Sequence, residues 1–212
     1  MLRFAVFALV AVLAYADQCC TPTKWHGVQS MVIGAMPNSN AAASSVTTAA
    51  YSINVDADSH MVALTGTSVT NGVESNIKVL TDYTKGVEYL VVNGTCSKKA
   101  AGADPGHCVP DNATASGHGF LGVGGVSSVN VTQYAFNMDG YTAYLTVTDK
   151  CVPVAETYYG VTNGTYSFTT IAFTSIQGGL ADDTVFNLPS ECALGTGTIN
   201  GGFAVGRRSH FV

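Results

Sequence analysis

Six cysteines and five histidines give this chain most of its capacity for metal or redox chemistry. Cys19 and Cys20 are adjacent, and adjacent cysteines cannot bond to each other without straining the peptide between them. Each therefore needs a distant partner or none. A zinc site could be assembled from Cys20, His107, Cys108 and His118. Their spacing matches no regular zinc motif, so we predict no metal site and favour oxidised cysteines.

The segment Gly117–Gly122 spells the nucleotide-binding pattern G-x-G-x-x-G. A dinucleotide site needs this pattern between a strand and a helix. Here it falls in residues 100–125, which are rich in Gly, Pro and small residues and predict a long loop between two β halves. We interpret the pattern as part of that loop.

Asp56 and Asp58 are the acidic pair with spacing suited to a cation, because two carboxylates one residue apart can reach one calcium ion. The other ligands of an EF-hand loop are missing, which favours a polar turn and leaves calcium as a candidate cofactor only. No G-x-S-x-G elbow, H-E-x-x-H motif or catalytic-cysteine signature occurs, and we expect no enzyme.

The elements that must position these residues are predicted to be strands. Apolar and polar residues alternate with period two in YSINVD (51–56), GVEYLVVNG (86–94) and YTAYLTVTD (141–149), which is typical of half-buried strands. Asn93-Gly94, Asp139-Gly140 and Asn163-Gly164 predict tight type I′ hairpin turns. No apolar stripe at helical spacing extends over three turns. The predicted fold class is mostly antiparallel β, as a sandwich or a strongly curved sheet with little helix.

Residues 1–16 have the pattern of a secretory signal peptide. Arg3 precedes an apolar run, Phe4–Leu13, which is shorter than the ~20 residues of a membrane span, and small residues at Ala14 and Ala16 predict cleavage after Ala16. We predict one soluble, secreted domain over 17–212, with a Gly-rich tail from about 195. Four sequons agree with secretion, at Asn93, Asn112, Asn130 and Asn163.

The composition sets further bounds. Hydrophobic residues make up 47% of the chain and charged residues 11%, with a net charge of -5. This amount of apolar surface excludes a disordered chain. No basic stripe is present, so a nucleic-acid partner is not expected.

Four segments together resemble the ependymin family of secreted glycoproteins. They are the motif Cys19-x-x-Pro22-x-x-Trp25-x-Gly27, TDYTKGVEYLVVNGTCSK (81–98), DKCVPVAETYY (149–159) and VFNLPSEC (185–192). The resemblance implies two antiparallel sheets curved around a deep apolar pocket and no catalytic activity. It also implies an extracellular or lysosomal glycoprotein, often dimeric, associated with calcium, cell-matrix contact and, in vertebrate relatives, lipid binding.

The resemblance also implies a disulfide pattern that the residues alone leave open, since six cysteines allow fifteen connectivities. By motif matching, Cys19 pairs with Cys151 and Cys96 pairs with Cys192. Cys20 and Cys108 are extra to the family pattern, and we expect them to bond each other or a second chain.

With the family's concave sheet as a guide, the apolar strand faces predict a ligand pocket. Its expected lining is Tyr89, Val91, Leu145, Val147, Phe168 and Phe173. The same residues would also form an ordinary packed core. Our leading hypothesis is a binding protein for a lipid or similar hydrophobic ligand. A second copy of the chain, in a homodimer, is a candidate partner. The alternative is a structural or adhesive component of the extracellular matrix in which calcium and glycans matter and the pocket is incidental.

Overall fold

The computed structural model describes residues 18–38, 43–138, 140–162 and 164–193, and these form a sheet of 11 antiparallel strands. The strands are β1 Lys24–Pro37, β2 Ser45–Asp56, β3 Met61–Thr70, β4 Val73–Asp82, β5 Val87–Val92, β6 Thr95–Ala100, β7 Thr114–Val123, β8 Ser127–Met138, β9 Tyr141–Thr148, β10 Pro153–Thr162 and β11 Thr165–Gly178. A 3-10 turn, Asp183–Phe186, and a one-turn helix α1, Ser190–Ala193, follow. The prediction of a mostly antiparallel β fold with little helix is confirmed.

The sheet consists of two meanders joined by its first and last strands. Its order is β6-β5-β4-β3-β2-β1-β11-β10-β9-β8-β7. The long pairing of β1 with β11 makes it continuous, with Met31 opposite Ile171. The described strands therefore form one hydrogen-bonded sheet, where the family resemblance implied two.

Asn-Gly and Asp-Gly pairs connect the hairpins, as their tolerance of positive φ predicts. Asn93 and Gly94 have φ values of 48° and 84° between β5 and β6. Gly140 and Gly164 also have positive φ, while Asp139 and Asn163 lie outside the described residues. A further pair, Asn71-Gly72, turns β3 into β4 with φ values of 49° and 85°. The sequence reading missed it although the same dipeptide marks it.

The predicted loop over residues 100–125 is partly wrong. Residues 101–113 contain no strand beyond a bridge between Cys20 and Cys108, but Thr114–Val123 forms β7 and pairs with β8 along its length. The glycines of this segment lower its strand propensity, which is why it was predicted as a loop. Pairing with β8, a segment later in the chain, overrides that local preference. The GHGFLG segment thus lies in a strand, not a loop.

One face of the sheet, called here the inner face, carries the main hydrophobic core. The register brings Ile53, Leu145 and Ile171 to this face, and each is 0% exposed. The predicted alternation of Ala143, Leu145 and Val147 is borne out by their burial. The opposite side is called the outer face.

A second, smaller cluster lies on the outer face of β5 and β6. It joins Val91, Cys96 and Cys192, with Tyr89 packed against it, while Leu90 belongs to the main core. Because α1 contacts β5 and β6, β5 is covered on both sides.

Candidate site: an apolar groove on the outer face

Three disulfides connect distant parts of the described chain. Cys19 bonds Cys151 and Cys96 bonds Cys192, with Cα separations of 5.4 and 5.2 Å. These are the pairs that the family resemblance implied. Cys20 bonds Cys108 within the same chain, so adjacent cysteines 19 and 20 do have separate distant partners.

The residues considered for zinc do not assemble into a usable set. Ligand atoms of Cys20, His107 and Cys108 lie within 4.8 Å of one another, but both sulfurs are used by the disulfide. A metal binds the thiolate form of cysteine, which is absent while this bond is intact. His118 lies in β7, where its Nδ1 is 3.1 Å from Thr132 Oγ1.

The Asp56 carboxylate is engaged by its own surroundings. Lys24 Nζ lies 3.1 Å from Asp56 Oδ2, and the Ser59 backbone N–H and hydroxyl both donate to the same carboxylate. Burial acts to raise the pKa of Asp56, but the hydrogen bonds from Lys24 and Ser59 outweigh it and hold the pKa below its usual value. The exposed Asp58 accepts from Thr23 Oγ1 at 3.3 Å. This is the geometry of a polar turn.

A small cavity of about 100 Å³ adjoins this turn, with His60 and Asp104 among its lining residues. His60 Nδ1 lies 2.6 Å from Asp104 Oδ2. A histidine–carboxylate pair orients a base in hydrolases, where it acts on a nearby nucleophile. The described residues that line this cavity include no serine, threonine or cysteine.

The six predicted pocket residues lie in three different places. Leu145, Val147 and Phe173 are in the inner core. Tyr89 and Val91 face α1 on the outer side of β5, and Phe168 is 48% exposed on the outer face of β11. The prediction that all six line one pocket is therefore wrong. The strands alternate as expected, but period two does not tell which face is the inner one.

The outer face contains an apolar groove that only Phe168 of the predicted set reaches. Its cavity volume is about 510 Å³ and it crosses four neighbouring strands, β10, β11, β1 and β2. The large side chains along it are Met36, Val46, Tyr159, Val161, Tyr166 and Phe168. All six are substantially exposed. A group of this size on adjacent strands exceeds the scattered apolar residues of an ordinary surface.

Gly34 lies at the centre of the groove. Across the strands it is opposite Phe168 on one side and Val46 on the other. A Cβ added at Gly34 would meet no atom within 4 Å. The missing side chain therefore leaves a depression between two rows of apolar residues.

The groove also has polar groups along one side. Tyr144 on β9 stacks with Tyr159, with ring centroids 6.1 Å apart. Hydrogen bonding to Tyr159 raises the pKa of the Tyr144 hydroxyl. Tyr159 and Tyr166 thus combine an apolar ring with a hydroxyl, and such side chains are common where one end of a ligand is apolar and the other is wet.

Sequence reasoning missed most of this groove. Gly34, Met36 and Val46 come from segments that were not predicted as strands. In β11 the two strand faces are both apolar, with Tyr166 and Phe168 outward and Ile171 and Phe173 inward. These large apolar residues stand at even positions at Tyr166 and Phe168 and at odd positions at Ile171 and Phe173. This shift from one strand face to the other is the signal that could have revealed an exposed hydrophobic face.

The sequons at Asn93, Asn112 and Asn130 are all exposed, and Asn163 lies outside the described residues. Asn93 is in the β5–β6 turn, where its Oδ1 accepts from the Asn76 backbone N–H at 2.8 Å. Asn130 is within β8, and its Nδ2 donates to Asp149 Oδ2 at 3.0 Å. Among the described residues, no helix has the length and hydropathy of a transmembrane span.

Sheet, disulfides and groove together define a class of disulfide-bonded, antiparallel β proteins with a hydrophobic surface site. The Ependymin family model matches residues 71–192, more than half of the sequence. The chain belongs to the ependymin family. It is 28% identical over 207 residues to "Ependymin-related protein 1" of Haliotis asinina. The alignment covers 91% of this chain and 98% of that protein.

Among solved structures, the chain was matched to a DUF1329 family protein from Desulfovibrio piger. The identity is 10% and the TM-score 0.24, over 78% of this chain and 90% of the other. A likeness at that level carries no argument about fold or function.

Proposed function

We propose that this chain is a secreted ependymin-related glycoprotein that binds a lipid or other hydrophobic molecule in the outer groove. The observation that carries the proposal is the groove of about 510 Å³ with its six large, exposed apolar and aromatic side chains. Ligand pockets of proteins have volumes of about 300–1,000 Å³ and predominantly apolar linings.

Affinity at this site comes mainly from apolar burial, worth about 25 cal/mol per Å². No charged residue is among the residues that line the groove in the described part of the chain. An ionic head group therefore has its partners in water or at the tyrosine hydroxyls. Selectivity among acyl chains is expected to be weak, and the site binds rather than transforms its ligand.

Secretion and glycosylation are part of the same proposal. Three disulfides are typical of proteins from oxidising compartments. The signal-like residues 1–16 and the exposed sequons at Asn93, Asn112 and Asn130 agree with that compartment. Glycosidase treatment followed by mass spectrometry of the secreted chain reads site occupancy directly.

Gly34→Leu tests the groove. The new side chain has open space and fills the depression, so the protein folds while fluorescent fatty-acid binding falls by tenfold or more. Gly178→Leu is the matched control, because a Cβ at this exposed strand end also meets no atom within 4 Å and lies outside the groove. Titrations of wild type and both variants with the same probe make the comparison.

Equal binding by wild type and Gly34→Leu would show that the ligand binds elsewhere. If the wild-type protein carries no lipid after purification and binds none of a panel of acyl ligands, the proposal fails. The matrix-component hypothesis, with calcium-dependent self-association as its own test, then replaces it.

A further inference from the structure

The segment that carries Cys20 is held against the segment that carries Cys108 by more than their disulfide. The two residues form an isolated antiparallel bridge. On one side of it, the Thr21 backbone N–H donates to the His107 carbonyl at 2.7 Å. On the other side, the Val109 N–H donates to the carbonyl of the residue before Cys20, also at 2.7 Å. Cys20 and Cys108 are therefore a non-hydrogen-bonded pair, the kind in which two strands bring opposite side chains closest.

Both flanks of this bridge are anchored independently of the Cys20–Cys108 bond. Thr21 is 3% exposed, and Val109 belongs to the main hydrophobic core. Thr21 Oγ1 and Gln18 Nε2 donate further hydrogen bonds to carbonyls of the second segment, at 3.2 and 3.1 Å. Opening the disulfide is therefore expected to leave the Cys20 and Cys108 side chains facing each other.

The Cys20–Cys108 bond is also the disulfide that a small thiol reaches most readily. Both cysteines are half-buried, and neither belongs to a hydrophobic cluster of the described chain. In each of the other two bonds a cysteine packs in such a cluster, Cys19 against the main core and Cys96 in the smaller one. Thiol–disulfide exchange needs access to a sulfur atom. Two molecules of a low-molecular-weight thiol reduce this bond to two cysteine thiols and leave as one oxidised disulfide.

We propose that Cys20, Cys108 and His107 form a Zn²⁺ site once such a thiol has reduced this bond. Their ligand atoms lie within 4.8 Å of one another. Thiolate sulfur lies about 2.3 Å and imidazole nitrogen about 2.0 Å from zinc, so the ligand atoms of a tetrahedral site are about 3.5–3.8 Å apart. The two sulfurs need only separate from bonding distance and the imidazole ring approach them, which side-chain rotation can supply.

The chemistry of the three ligands selects the metal. Two thiolates and an imidazole are donors that zinc accepts, whereas calcium and magnesium take oxygen ligands. The two thiolates balance the double charge of the ion, and each thiol releases a proton as it binds. Three protein ligands leave the fourth tetrahedral position open to water or a small ligand. The site is absent from the oxidised chain, because the two sulfurs are then bonded to each other.

Zinc titration of the full secreted chain, prepared without an affinity tag, tests the site. The chain is treated with reduced glutathione without oxygen and then desalted, and differential alkylation with peptide mapping identifies which disulfide has opened. The chain in which the Cys20–Cys108 bond alone is open should bind one Zn²⁺ by native mass spectrometry. Competition with a colorimetric chelator measures its affinity. The untreated, oxidised chain should not acquire this bound ion.

His107 and His118 provide matched variants. His107→Ala removes the nitrogen ligand and should weaken Zn²⁺ binding by at least about tenfold, since losing even a residue that only supports a ligand costs that much. His118→Ala should leave the affinity unchanged, because His118 is an exposed residue of β7 that contacts Thr132. Replacing both Cys20 and Cys108 by serine should abolish the bound ion after the same glutathione treatment. Peptide mapping of the remaining disulfides in every variant checks that folding is intact.

Four results would each overturn the proposal. The first is a Cys20–Cys108 bond that stays closed in glutathione or opens only after another disulfide. The second is a chain with this bond open that binds no Zn²⁺. The third is equal affinity in His107→Ala and the wild type, which would remove the imidazole from the site. The fourth is an equally tight ion in the oxidised chain or in the double serine variant, which would place the metal elsewhere.

Discussion

Asp56 illustrates how a single residue that could have been a cation ligand serves the turn instead. Its carboxylate is buried and accepts hydrogen bonds from Lys24 and Ser59, and its pKa lies below the usual value. A depressed folded-state pKa contributes stability above the unfolded pKa, about 3.9, and this is lost as pH falls through the folded pKa. Asp56→Asn is therefore expected to lose about 1–3 kcal/mol at neutral pH, and less in acid. Urea unfolding at neutral and acidic pH measures both values.

The control for that residue is Asp58→Asn, because Asp58 is exposed and the hydrogen bond that it accepts from Thr23 is exposed too. It should change the free energy of unfolding by less than about 0.5 kcal/mol. A loss for Asp56→Asn that does not diminish in acid would contradict the assigned role of the ionised carboxylate.

At the scale of elements, the Cys96–Cys192 disulfide bonds α1 to β6, and an ion pair between Lys78 of β4 and Glu191 of α1 adds a second contact. The Cys96–Cys192 bond closes a loop of 96 residues, and the chain-entropy model gives such a crosslink about 4–5 kcal/mol. Replacing both cysteines by serine should cost that amount and also expose Val91, which is 2% exposed in the native chain. Thermal unfolding, with proteolysis near α1 as a second readout, measures the two effects.

Replacing Cys20 and Cys108 by serine is a suitable comparison. Their separation of 88 residues is close to 96, so the chain-entropy contribution is nearly equal. The Cys96–Cys192 pair should lose more because its sulfurs are buried in the cluster beside α1. Equal losses for the two double variants would mean that α1 packing adds nothing measurable.

At the scale of the whole molecule, the two faces of the sheet respond differently to the same substitution. Leu145 is fully buried in the core, so Leu145→Asp buries an unpaired charge and should abolish secretion, at a cost above about 4 kcal/mol. Phe168 is 48% exposed, and Phe168→Asp should be secreted with native disulfides yet bind fatty acid more weakly. Secreted yield and ligand titration separate the outcomes. Native secretion of Leu145→Asp would place Leu145 outside the core.

The sequence predicted well which residues alternate along a strand. It predicted poorly which strand faces are covered by other parts of the chain. Ala143, Leu145 and Val147 were assigned to one buried face because apolar and polar residues alternate there with period two, and all three are buried. For β5 the same rule selected Tyr89 and Val91, whereas Leu90 faces the main core. Both faces of β5 are buried, and the cover on one of them comes from α1, about a hundred residues later.

The candidate site was even less accessible to sequence reasoning. Its floor is Gly34, a residue whose importance is the absence of a side chain between Phe168 and Val46. Nothing local distinguishes that glycine from others in the chain. The groove arises only when strands from the two ends of the chain become neighbours.

The pairing of β1 with β11 has a consequence for the order of folding during synthesis. Every other strand pair joins segments close in the chain. Met31, in contrast, cannot pair with Ile171 until residue 171 has been synthesised. A growing chain can form the β1–β6 meander first, while β1 remains without its second neighbour until the last strand has been translated. Because long loops close slowly, this junction is where we expect the rate of folding to be decided. A chaperone that occupied the nascent β1 would protect the step most exposed to wrong partners.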